Sequence, residues 1–157
     1  WILAIGVEDV IYHLQELARQ VRGHTIALLD ATPDDWLLWA PAGTSNHILW
    51  HAGHAVWVQD RLAIEPITSS SELPPGWAET FGSKCRPVRE TTEWPDRRTV
   101  QHLLHRQLDR LIEVVQSHAE RLESGELAEY LIHGLHDEAR HQGEMYLLFK
   151  LRRALDA

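Results

Sequence analysis

The sequence predicts an all-α fold, a four-helix bundle with a long connection between the second and third helices. Three observations carry this. Apolar residues recur at the three-and-four spacing of a helix face in four long segments, turn-forming clusters separate those segments, and no stretch shows the strict alternation of a strand. Such helices bury their apolar faces only against one another, which makes a bundle.

The first helix is predicted from about Val7 to Leu29, with Val10, Ile11, Leu14, Leu17, Val21 and Leu28 on its buried side. Asp30 to Asp35 and then Pro41 to Gly43 break the pattern, after which Thr44 or Ser45 can cap a second helix. That helix is expected to run to about Ile64. Its Ile48, Leu49, Trp50, Val56, Trp57, Val58 and Leu62 leave little polar surface, so it should be buried on most sides. From Glu65 to Trp94 the chain is rich in Pro, Ser and Gly, and a connection of that length in a compact domain is usually functional or mobile. Trp77 and Phe81 are expected to pack this connection onto the bundle, with pocket lining as the alternative. A third helix starts near Asp96 or Thr99 and presents Val100, Leu103, Leu104, Leu108, Leu111, Ile112 and Val115. Ser124 and Gly125 precede a fourth, from Glu126 to about Leu155, whose last turn carries Lys150, Arg152 and Arg153 in keeping with the helix dipole.

Length and charge narrow the function. At 157 residues the chain fits one domain, spanning 1–157, with enough length to bury a core. No apolar run approaches the ~18 residues of a membrane span, so no membrane association is expected. A net charge of -8 without a basic stripe argues against nucleic acid as a partner. The single cysteine, Cys85, excludes an internal disulfide and suits a reducing, cytoplasmic setting, and no targeting signal is evident.

The chemistry lies in the histidines, of which there are 11. On the fourth helix, Tyr130, Gly134, Asp137, His141, Met145 and Leu148 share one face. Its ends are apolar, yet its middle carries a carboxylate and an imidazole one turn apart, and burying such groups costs several kcal/mol unless they are paired. They can pair with each other, or both can reach one divalent cation. The second helix favours the cation. His47, His51 and His54 lie on one flank of an otherwise apolar helix, and one of them would complete an open three-ligand site with a further position for water. Periodicity leaves His51 and His54 both open: His51 follows the core stripe of Ile48, Ala55 and Val58, while His54 lies beside Trp50 and Trp57. His133 and His136 fall away from the centre of the fourth-helix face. His13, His24, His102, His105 and His118 have no evident partner and are read as solvated or capping groups. Glu138 and Glu144 flank the face and rank low as orienting groups or bases.

His136-Asp137-Glu138-Ala139-Arg140-His141-Gln142-Gly143-Glu144-Met145 resembles the fourth-helix signature of the DinB-like (DinB/YfiT-like) family: a ligand, three residues, then His and a Gly-containing pair. Trp50-His51-Ala52-Gly53-His54, followed by Asp60-Arg61-Leu62, resembles the family's second-helix segment, in which a Trp precedes the ligand His by one turn. The resemblance covers nearly the whole chain. It implies a four-helix fold and a metal site of His54, Asp137 and His141, with His51 replacing His54 under a shifted alignment. Asp137 departs from the His, or in some members Glu, usual at that position. The family further implies a divalent ion, zinc or nickel, acting on a water or a low-molecular-weight thiol in a transferase or hydrolase with a small-molecule substrate. The competing expectation is a stress-associated binding or structural protein in which the same residues hold a structural ion or form a hydrogen-bonded buried cluster. A homodimer is the expected assembly, since helical proteins of this shape often pair through a helix face.

Overall fold

The computed structural model describes residues 6–44, 46–82, 93–122 and 125–156; Ser45, Cys85 and Ser124 lie outside them. The helices are α1 (Val7–Ala31), α2 (Ile48–Gln59), α3 (Glu65–Thr68), α4 (Trp77–Phe81), α5 (Arg97–Ser117) and α6 (Glu126–Leu155), and no strand occurs among the described residues. The expected second helix is α2 and α3 joined by a π-helical turn, Asp60–Ile64, so it runs past the predicted end. Pro66 explains both the expectation and the outcome. It lacks an N–H and its ring would press on the carbonyl four residues back, and the wider π turn just before it lets the helix continue. Ser69, in the left-handed region at φ 61°, ends it.

Thr44 does not cap α2, and Ser45, the other expected cap, lies outside the described residues. The cap is His47, whose Nδ1 accepts the Trp50 N–H at 3.1 Å. Asp96 caps α5 by accepting the Thr99 N–H at 2.7 Å.

Two apolar clusters show how the helices run. One joins Ile11, Leu14 and Ala18 of α1 to Ile64 and Ile67, to Leu111, Val114 and Val115 of α5, and to Leu127, Leu131 and Leu135 of α6. The other joins the last turns of α1 to the first turns of α2 and α5 and to Met145 and Leu148 of α6. Hence α1 and α6 run one way and α2 and α5 the other. Each of α1 and α2 packs on both α5 and α6. Since α2 and α5 are parallel, the chain must travel the bundle's length between them, which is why that connection is long. It is pinned at its start, where the buried Asp60 accepts hydrogen bonds from Ser71 Oγ at 2.7 Å and the Glu72 N–H at 2.8 Å.

Between the two clusters lies a polar layer. Arg22 and Glu138 are both 0% exposed and paired, with Nε to Oε1 at 2.9 Å and Nη2 to Oε2 at 3.0 Å. Thr25 Oγ1 donates to Glu138 Oε1 at 2.7 Å, Gln59 Nε2 donates to Oε2 at 3.0 Å, and Gln107 Oε1 accepts from Arg22 at 3.0 Å. The buried stripe of α1 keeps the expected Ile11 and Leu14, but through this layer it continues as Ala18, Arg22, Thr25, Ile26 and Leu29 in place of Leu17, Val21 and Leu28, leaving Leu17 exposed. Glu138, expected to be a flanking helical carboxylate of low rank, is instead the hub of the layer.

Candidate metal centre

Residues of α2 and α6 approach one another just beyond that layer, where α6 runs antiparallel to α2. His47, His51 and His54 are all buried, as the apolar surroundings of α2 require, and each has a different job for its ring. His47 caps its own helix. His54 is stacked on Trp50 (centroids 4.7 Å apart, 15° between planes) and on Trp57 (5.1 Å, 28°). Its Nδ1 lies 2.6 Å from the Phe81 carbonyl oxygen, which can only accept, so Nδ1 carries the proton and Nε2 presents a lone pair. His51 Nδ1 lies 2.9 Å from His141 Nδ1, and His51 Nε2 lies 3.3 Å from Glu144 Oε2.

The connection between α3 and α5 therefore contributes to the site. Helix α4 folds onto α2 with Trp77 and Phe81 buried, and Trp77 Nε1 donates to the Gly53 carbonyl at 3.0 Å. Gly53 is needed there: a Cβ on it would come within 2.2 Å of the Phe81 ring. That contact places the Phe81 carbonyl against His54. The expected packing of Trp77 and Phe81 is what the structure shows, while the Phe81 carbonyl as a partner of His54 carries no signature in the sequence.

Two sets of side chains among the described residues could hold a metal ion: His54, Asp137 and His141, and His51, His141 and Glu144. In the first, Asp137 Oδ2 lies 3.6 Å from His54 Nε2 and 3.5 Å from His141 Nε2. Those separations are long for hydrogen bonds. They are close to the roughly 3.4 Å between donor atoms that share a tetrahedral cation at about 2.1 Å. Two imidazole nitrogens and a carboxylate oxygen are also a donor set that suits zinc and its neighbours. The residues present therefore fit a divalent ion. Arg140 donates to the other oxygen, Oδ1, at 3.0 Å and so holds the Asp137 carboxylate in place.

Burial keeps these imidazoles neutral, as ligands must be. It pushes His51 down to about 3, aided by the neighbouring histidines, and His141 down to about 4, with Asp137 opposing. His54 is lowered too by burial, against the Phe81 carbonyl and Asp137. A cavity of about 320 Å³ borders His51 and Glu144 and is otherwise lined mainly by Pro41, Leu147, Leu148 and Leu151. It lies one imidazole away from His141.

The other histidines sit apart. His13, His24, His102, His105, His133 and His136 are exposed, and His118 has its Nδ1 3.0 Å from the Val114 carbonyl at the end of α5. No helix of the described residues is long and apolar enough to cross a membrane.

No curated protein and no solved structure matches the chain. The family model of the DinB superfamily matches residues 17–145, a span that contains every residue of both candidate sets, and the chain belongs to that superfamily.

Proposed function

We propose that this protein is a metal-dependent enzyme, a transferase or hydrolase acting on a small molecule, with one divalent ion, zinc or nickel, held by His54, Asp137 and His141. The observation that carries it is the convergence of His54 Nε2, Asp137 Oδ2 and His141 Nε2, spaced for one cation and lacking a cation of the chain's own between them. Three protein ligands leave a coordination position open, the arrangement of catalytic rather than structural sites. The chemistry such an ion supplies is Lewis acidity, which makes a nucleophile of a water or a low-molecular-weight thiol near neutral pH.

The chain's own residues do the rest. Trp50, Trp57 and the Phe81 carbonyl fix the plane and tautomer of His54, and Arg140 fixes Asp137. Indole faces on either side of His54 keep water from one flank of the centre. The cavity beside His51 and Glu144 has the size of a small-molecule pocket, and it reaches the proposed centre only by way of His51, which meets His141.

The test is elemental analysis of untagged protein, with His54→Ala, His51→Ala, Asp137→Ala and His141→Ala. About one equivalent of metal is expected in the parent and in His51→Ala, with none in the other three. A parent that takes up no zinc, nickel or manganese on incubation would sink the reading and leave a helical protein with a buried polar cluster.

A further inference from the structure

His51 and Glu144 need an account of their own. His51 is 1% exposed, meets His141 nitrogen to nitrogen, and reaches Glu144 with its other nitrogen. We propose that Glu144 and His51 are positioning residues that act through His141: they form a hydrogen-bonded chain that sets the His141 ring, and the place of its proton, so that Nε2 is free to bind the metal. This deepens the metal-centre reading and rests on it.

The argument is one of proton count. Two ring nitrogens 2.9 Å apart share one hydrogen, so either His51 or His141 donates at that contact. Suppose His51 donates from Nδ1. Its Nε2 is then a bare lone pair facing the Glu144 carboxylate at 3.3 Å, two acceptors in opposition, and His141 must hold its proton on Nε2, where the cation belongs. Suppose instead that His141 donates from Nδ1. His51 then accepts on Nδ1, carries its proton on Nε2 and donates it to Glu144, while His141 Nε2 is left as a lone pair beside Asp137 and His54. Each arrangement sets one bare nitrogen against a carboxylate, at Glu144 in the first and at Asp137 in the second, and a cation shared by His54, Asp137 and His141 relieves the second but not the first. Glu144 thus selects the tautomer of a ring it approaches no closer than 3.9 Å, by way of the ring between them. The same logic governs ligating histidines generally, whose second nitrogen is held by a carboxylate or carbonyl. His54 receives this from the Phe81 carbonyl, and His141 receives it from an imidazole backed by a carboxylate.

Long-range 1H–15N correlation spectra of the zinc-loaded protein should show His141 protonated on Nδ1 and His51 on Nε2. The opposite tautomers would overturn the proposal. Glu144→Gln, at a half-exposed position that threatens the fold little, offers His51 a donor as well as an acceptor and should erase the tautomer preference. Affinity for zinc, measured by chelator competition, should fall by about 10- to 100-fold in Glu144→Gln with stoichiometry kept. His51→Gln, whose amide oxygen still accepts from His141 Nδ1, should lose less affinity than His51→Leu, and the visible spectrum of the cobalt-loaded protein should change in His51→Leu. Affinities within twofold of the parent in all three variants would overturn the proposal, as would loss of stoichiometric metal in His51→Leu with retention in His54→Ala, which would make His51 the ligand. If the parent binds no metal, the metal-centre reading itself fails, whereas zinc bound at one equivalent with His51 protonated on Nδ1 overturns this proposal alone.

Discussion

Two polar groupings meet at neighbouring positions of α6, one buried and one partly exposed, and they are balanced in opposite ways. In the layer around Arg22 and Glu138, one cation meets one anion, both fully buried, and Thr25, Gln59 and Gln107 supply the remaining hydrogen bonds. In the cluster of His54, Asp137 and His141, two neutral imidazoles face one oxygen of a carboxylate, and the guanidinium of Arg140 meets the other oxygen from the solvent side. The adjacent positions on α6 make the contrast sharp: Asp137 belongs to one and Glu138 to the other. Desolvating a carboxylate costs several kcal/mol; the first grouping offsets that cost in the core with the Arg22 guanidinium, whereas Asp137 keeps part of its exposure and pairs with Arg140 at the surface. On the proposed reading a divalent ion completes the second, and that is what would distinguish a site from a structural pair.

The largest expected effect tests the closed half of that comparison. Glu138→Ala strands the Arg22 guanidinium in the core and should lower the stability measured by urea denaturation by about 3–5 kcal/mol. Arg22→Met combined with Glu138→Leu should recover most of the loss, because a buried ion pair is often replaceable by apolar side chains of similar volume. What it fails to recover measures the hydrogen bonds left open on Thr25 and Gln59. A double variant as unstable as the single would mean that the charges hold the bundle together, and the contrast would need redrawing.

The open half should behave the other way. Asp137→Ala in metal-free protein should change stability by less than about 1 kcal/mol, since that carboxylate is partly exposed and its guanidinium partner, Arg140, lies in solvent. Added zinc at about a hundredfold excess over Kd should stabilise the parent by about 3 kcal/mol, and Asp137→Ala should lose that gain. Denaturation curves with and without chelator read both numbers. A parent unaffected by zinc would place the two groupings in the same class.

A smaller effect is expected where the connection meets the site. Gly53→Ala presses on the Phe81 ring, an overpacking that typically costs about 1–3 kcal/mol, and in moving Phe81 it also moves the carbonyl that holds His54. Stability and zinc affinity should therefore fall together in this variant, whereas in Glu144→Gln affinity should fall alone.

Much of this was legible in the sequence because it is local. The four long helices, the one-turn spacing of Asp137 and His141, and the excess of imidazoles on a buried helix are all read within a few residues. The choice between His51 and His54 is not. Three residues apart on one helix, they differ by about 60° of rotation, and both are buried; what distinguishes them in the structure is the partner of each Nδ1, a carbonyl 27 residues on for His54 and a ring 90 residues on for His51. The Arg22–Glu138 pair was hidden for a related reason. Each residue alone looks like a helical surface charge, and 116 residues separate them. One trace was available: Arg22 continues the series Ile11, Leu14, Ala18 at core spacing, and a charge on a core stripe demands a buried counter-charge.

The mildest way to separate the two groupings is acid. His47 and His51 are held by burial at about 4 and about 3, below the ordinary value of 6.5 that they regain on unfolding. A depressed base binds more protons unfolded than folded, so the stability in question is fully present above pH 6.5 and is lost as the pH falls toward 4. One unit below the ordinary value, at pH 5.5, each such histidine should cost about 1 kcal/mol relative to pH 7.5. Bound zinc adds a second dependence of the same sign, because protons compete with it for His54 and His141. Denaturation midpoints from pH 7.5 to 5 should therefore fall in both forms, with the zinc-dependent part of the stability shrinking as the pH drops. His47→Asn keeps a side-chain cap for α2 and removes one buried imidazole, so it should reduce the acid slope by about one histidine's share while leaving zinc affinity at pH 7.5 unchanged. An acid slope that survives in this variant undiminished would assign the sensitivity to the other buried imidazoles alone, and His47 would then be a cap and nothing more.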